Sequence, residues 1–118
     1  MNYLCLAYGS EQDWNALAPN EQEALLAQDE FLRKKGMVIA AVDTQVATVR
    51  AWGGTPTTTV GAASGQPLQL AGFYILQAAN LDEAAKLVAD TPCARARGAV
   101  EIRQISSIHG LPDPSADH

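Results

Sequence analysis

Apolar residues recur along this chain in two rhythms, one of strands and one of helices. Tyr3 to Tyr8 (YLCLAY) is a short apolar run closed by Gly9 and Ser10, which reads as a buried strand. A polar passage follows, SEQDWNALAPN, with Trp14 and Leu17 available to pin it to the body. Pro19 stands where a helix accepts proline, in its first turn, and Glu21 and Glu23 suit the positive helix end. Ala24, Leu25, Ala27, Phe31 and Leu32 mark an apolar stripe at helical spacing. Arg33, Lys34 and Lys35 suit the negative end of that helix, and Gly36 can take the left-handed cap.

MVIAAVD is a second strand, apolar on both faces. VATVRAW and TPTTTVGAA are β-rich and separated by Gly53 and Gly54, which predicts a hairpin, and SGQPLQ reads as a loop. GFYILQA is the next strand. Asn80, with Glu83 three positions on, then opens a second helix through a capping-box pattern, with Leu81, Ala84, Ala85, Leu87 and Val88 as its buried face and Pro92 as its stop. After a loop, CARARG, comes a last strand, AVEIRQI, and a loosely held polar tail. The order is the βαββαβ plan with an extra hairpin in its middle. It predicts an α+β domain over residues 1–105, a tail over 106–118, and an antiparallel sheet with both helices on one face.

Two helices cover one side of such a sheet, and a side open to water should alternate apolar with polar residues. YLCLAY, MVIAAV and FYIL are apolar at both parities. Each large side chain left in water forgoes roughly 1.5–3 kcal/mol of burial, and several together make a patch that soluble monomers seldom expose. A symmetric homodimer, sheet against sheet, supplies the missing layer without extra sequence. In the last strand Val100 and Ile102 share one parity, and Glu101 and Arg103 share the other. With the apolar pair under the helices, the charged pair points toward the space between sheets, where it must pair. It serves there either as a structural ion pair or as a polar anchor for a ligand.

At 118 residues the chain suits one domain, and 47% hydrophobic with 18% charged residues is the composition of a globular protein. A net charge of −5 argues against nucleic acid, whose phosphates require a basic face. No apolar run approaches the ~20 residues needed to cross a bilayer, which argues against a membrane protein. The beginning, MNYLCLAYGS, has no basic leader, so a cytoplasmic location is expected. Cys5 and Cys93 are then reduced, either as inert small hydrophobes or as reactive thiols.

Little else in the sequence suggests chemistry. His109 and His118 have no ligand spacing with cysteines or carboxylates, so no metal is expected. Thr57, Thr58 and Thr59 read as strand residues, and Ser64 lies in a Gly-Pro loop. No glycine pattern cradles a phosphate, so no cofactor is expected. Asp43, at the end of an apolar strand, reads as a turn-initiating aspartate, with general acid–base work as the alternative. Glu101, held beside Arg103, suits orienting a ligand better than shuttling a proton. Tyr8, Tyr74 and Trp52 can wall a pocket or pack in the core.

MNYLCLAYG, LAPNEQEAL, LAGFYILQAANLDEA and TPCARARGAVEIRQI together resemble the DGPF-domain, YCII-related family of bacterial proteins. The resemblance implies a ferredoxin-like, dimeric α+β barrel and, from the genetic context of members near sigma factors, a regulatory role. Where the namesake Asp-Gly-Pro-Phe would fall, this chain reads Val60-Gly61-Ala62-Ala63. The histidine–aspartate pair proposed as catalytic in YCII proteins has no counterpart, since no histidine precedes His109. Tyr74, Glu101 and Arg103 do match. The expectation is therefore a homodimer that binds a small molecule in a cleft edged by Glu101, Arg103 and Tyr74, with no catalytic residue assigned. The alternative is a cofactor-independent isomerase, lyase or oxygenase of the dimeric-barrel kind.

Overall fold

The apolar run at the start of the chain becomes an inner strand. In the computed structural model, which describes residues 1–35, 38–61 and 68–108, β1 (Asn2–Tyr8) is followed by α1 (Glu11–Asn15), α2 (Pro19–Lys34) and β2 (Val38–Ala41). A hairpin of β3 (Ala47–Arg50) and β4 (Thr57–Val60) leads to β5 (Leu70–Gln77). The chain continues with α3 (Leu81–Val88), α4 (Pro92–Arg95) and β6 (Ala99–Gln104). β1 pairs antiparallel with β5 on one side and β6 on the other, and β2 pairs antiparallel with β5, which gives the order β2-β5-β1-β6. With β3 and β4 set aside as a separate ribbon, this is the βαββαβ plan expected from the sequence.

Strand parity sorts the side chains. Tyr3, Cys5 and Ala7 of β1 and Tyr74 and Leu76 of β5 are buried in one cluster with Ala84 and Val88 of α3, and Ile39, Val100 and Ile102 pack against it. The other parity holds Leu4 and Leu6 beside Ile75 and Phe73, with Val38 and Ala40 beyond them and Arg103 and Glu101 on the far side. These apolar side chains are only half-buried or exposed, so the second face of the sheet is as apolar as the strand patterns predicted.

Gly72 sets how closely the β2 edge can approach. A Cβ there would lie 2.2 Å from the carbonyl oxygen of Ala40. Gly98 does the same between α4 and β6, where a Cβ would meet the Tyr8 oxygen at 2.1 Å.

The helices depart from the sequence reading in three places. The polar passage folds as α1, because Ser10 Oγ accepts from the Asp13 N–H at 3.1 Å and caps it. In α2, only Leu25 and Leu32 of the expected stripe turn inward, while Ala24, Ala27 and Phe31 are exposed. The inward face repeats every three or four residues, and it is completed by Gln22, Gln28 and Asp29. Two of these form hydrogen bonds to neighbouring helices: Gln22 Nε2 donates to the Trp14 carbonyl at 2.8 Å and Gln28 Nε2 to that of Leu87 at 3.0 Å. Finally, Pro92 opens α4 as well as following α3, so CARARG is not all loop.

The capping pattern at α3 holds, with Asn80 Oδ1 accepting from the Glu83 N–H at 2.8 Å. Ala84 and Val88 are buried as expected, whereas Leu81 and Ala85 are exposed. The Gly36 cap, Ser64, Ala62-Ala63 and the tail beyond Ile108 lie outside the described residues.

Candidate functional site

A cavity of about 410 Å³ opens at the end of the sheet where β1 finishes. Pairing there is irregular: Ala7 faces Gly72 but Tyr8 faces Leu70, which leaves Ala71 as a bulge. Gly9 N–H donates to the Gln69 carbonyl at 2.9 Å and Val42 N–H to that of Ala71 at 2.9 Å, so the strand ends stay joined around the opening. Trp14 of α1 forms one wall, with Pro92, Cys93 and Ala96 of the α4 turn as another and Val42 and Thr44 as a third. The lining is mainly apolar, with Ser10, Glu11, Thr44 and Gln69 as its polar residues.

Behind the Cys93 wall lies a polar cluster. Tyr74 of β5 donates its hydroxyl to Asp29 Oδ1 of α2 at 3.2 Å. Burial raises the Asp29 carboxyl above the usual aspartate range, and the Tyr74 hydrogen bond partly offsets that. Burial, and then the Asp29 charge, push the Tyr74 hydroxyl well up, with the Thr91 hydroxyl pulling the other way. Burial and the same charge raise the Cys93 thiol. Cys93 is therefore a thiol rather than a thiolate near neutral pH and a poor nucleophile. Cys5, fully buried, is pushed up to about 11 by desolvation. In this cluster Asp29 is the carboxyl, held above its ordinary range by burial and hydrogen-bonded to Tyr74.

Of the residues singled out in the sequence, Glu101 and Arg103 lie together on the open face. Arg103 Nε donates to Glu101 Oε2 at 3.4 Å, with side chains 69% and 47% exposed respectively. Tyr74 does not join them. It pairs with Cys5 and Ile39 at the helix-covered parity, so the thickness of the sheet separates it from the charged pair. Asp43 accepts from the Thr44 N–H at 2.6 Å, the local bond of a turn. Trp52 stands 83% exposed in the hairpin turn, outside the cavity wall and the core. His109 and His118 fall outside the described residues. Among those residues, no three His, Cys, Asp or Glu side chains come together in a way that could hold a metal ion.

Sequence reasoning missed Asp29. Its signal was present: with Leu25 four residues before and Leu32 three after, it sits on the apolar side of α2, where an unpaired carboxylate would be costly.

The profile of the YCII-related domain matches residues 1–109. The chain belongs to the YCII-related family. No curated protein matches this YCII-related domain. A similar solved structure is 5-chloro-2-hydroxyhydroquinone dehydrochlorinase (TftG) from Burkholderia phenoliruptrix AC1100 in complex with 2,5-dihydroxybenzoquinone. It is 18% identical over 90% of this chain and 94% of that chain, at a TM-score of 0.47. Among the described residues of this YCII-related domain, no helix is long and apolar enough to cross a membrane.

Proposed function

We propose that this YCII-related domain is a homodimer that binds a small organic molecule, with a regulatory role. The observation that carries the binding is the cavity at the end of β1. Its 410 Å³ falls within the roughly 300–1,000 Å³ of small-molecule sites, and few polar groups punctuate its apolar wall. Ser10, Thr44 and Gln69 suit hydroxyl or carbonyl groups of a ligand, and the Glu11 carboxylate disfavours an anion. The apolar second face of the sheet supports the dimer. In a face-to-face pair, Glu101 and Arg103 edge the space between the sheets and form a second, polar subsite. The free thiols Cys5 and Cys93 suit a reducing compartment such as the cytoplasm.

A thermal-shift screen with small neutral phenols, ketones and alcohols tests the binding. Hits should stabilise the wild type and lose their effect in Val42→Trp, which fills the cavity from its rim. Hits that stabilise both proteins equally, or an absence of hits, overturn it.

Asp29 favours a second reading, a cofactor-independent isomerase, lyase or oxygenase. A carboxyl raised by burial and hydrogen-bonded to Tyr74 behind the cavity wall has the character of a general base. Turnover of a hit compound by the wild type, abolished in Asp29→Asn while binding persists, would establish that reading over simple binding.

A further inference from the structure

The β3–β4 hairpin is a ribbon of its own, and its two faces differ. Ala47 stands opposite Val60 and Val49 opposite Thr58, so these four share one face. Thr48, Arg50, Thr57 and Thr59 share the other. The alternation is that of a ribbon meant to bury one side. Yet Val49 is 64% and Val60 96% exposed. At the turn, Trp52 is also exposed, with the Arg50 guanidinium 5.8 Å from its ring centre. A two-stranded ribbon with its apolar face uncovered is marginal in water.

The subunit's own open sheet face does not receive this ribbon. The subunit is 21 Å thick along its shortest axis, against 47 and 43 Å along the others. One sheet and one layer of helices, packed about 10 Å apart, fill that thickness. The hairpin therefore extends beside the sheet rather than over it, as an arm.

Resting on the dimeric reading above, we propose that this arm docks through Val49, Val60 and Trp52 on a second copy of the chain. Area favours a second copy as the occupant. Four strands of four to eight residues at about 4.8 Å spacing give the open face a footprint of only about 400 Å². A stable interface needs about 800 Å² per partner. The arm's apolar face adds about 130 Å², and a buried tryptophan contributes a further 150–250 Å² or so. With the arm included, the surface left uncovered on one subunit approaches what a dimer requires.

The arm also reaches the cavity through its root. Val42 and Thr44 line the cavity and lead directly into Val46 and β3. An arm held by the partner fixes that wall, so dimerisation and ligand binding are coupled, and the coupling is reciprocal.

The test is sedimentation equilibrium of the full chain as wild type, Val60→Asp, Trp52→Ala and Leu6→Glu. Val60 and Trp52 are solvent-exposed within the subunit, so an unchanged circular dichroism spectrum is expected for both variants. Losing a buried valine or tryptophan contact should weaken the dimer about tenfold or more. Amides of β3 and β4 should also exchange more slowly with deuterium as protein concentration rises through the dimerisation range. If Leu6→Glu yields monomers while Val60→Asp and Trp52→Ala dimerise like wild type, the arm does not dock and the sheet-to-sheet dimer stands. If the wild type is monomeric throughout, both readings fail.

Discussion

Replacing Tyr74 by phenylalanine removes one oxygen and keeps the rest of the side chain. The ring is 5% exposed, and its hydroxyl donates to Asp29 Oδ1 at 3.2 Å, so Tyr74→Phe deletes a charge-assisted hydrogen bond with almost no change of core volume. Such bonds contribute roughly 1.5–3 kcal/mol. Asp29 is only half-buried and can recruit water in place of the lost donor, which lowers the expected cost to about 1–2 kcal/mol near pH 7. For a chain of this length that is a fall in Tm of about 4–8 °C.

The cost also depends on pH. Burial raises the Asp29 carboxyl, so the folded protein holds that proton more tightly than the unfolded chain. The stability this group supplies is complete below its unfolded value of 3.8 and declines as pH rises through its folded value. Tyr74 pulls the folded value down. Without it the value rises further, and the decline continues to higher pH. The gap between wild type and Tyr74→Phe should thus be smallest in acid, where both carboxyls are protonated, and widen as pH rises. Urea unfolding at fixed protein concentration, across pH 4 to 8, measures it. Asp29→Asn should flatten the dependence, and the double variant should show a coupling of about 1 kcal/mol. A loss that is equal at every pH, or strictly additive with Asp29→Asn, would refute the assignment of this bond.

Three further outcomes follow from local structure. Asn80→Ala removes the side-chain cap of α3 and should cost about 1 kcal/mol in the same urea assay, with Asn80→Asp close to wild type. Gly72→Ala sets a methyl 2.2 Å from the Ala40 oxygen and should cost about 2–4 kcal/mol, with amides of β2 losing protection first in hydrogen exchange. Iodoacetamide with mass spectrometry should leave Cys5 unmodified in the folded protein and label Cys93 slowly near pH 7 and faster as pH is raised; rapid labelling of Cys93 at neutral pH would contradict its raised thiol.

The strands were readable because their side chains repeat every two residues. YLCLAY, MVIAAV and FYIL are apolar at both parities, and the paired registers confirm a sheet apolar on two sides with Glu101 and Arg103 on the half-exposed one. The parity of Tyr74 needed more than its own segment, since GFYILQA is apolar throughout; only the pairing with Cys5 and Ile39 shows which neighbours it joins. The helices were harder for a related reason. Alanines at 24 and 27 give an apolar look to any face of α2, and they obscured the inward row on which Asp29 lies. Ser10 with Asp13 was a capping signal inside a stretch that composition alone marks as polar.

The cavity was illegible for another physical reason. Its walls come from four places in the chain, at the ends of elements rather than along them, beside the one residue, Ala71, that is unmatched in the β1–β5 ladder. A hydrophobic period describes the middle of an element and says nothing of its end. The open face and the arm, by contrast, are periodic features, and both show an excess of apolar residues over what one subunit covers. The same inference applies to each: a repeating apolar row that stays exposed implies a surface not supplied by its own chain. Because the arm's root is also a cavity wall, the periodic features that were readable reach the site that was not.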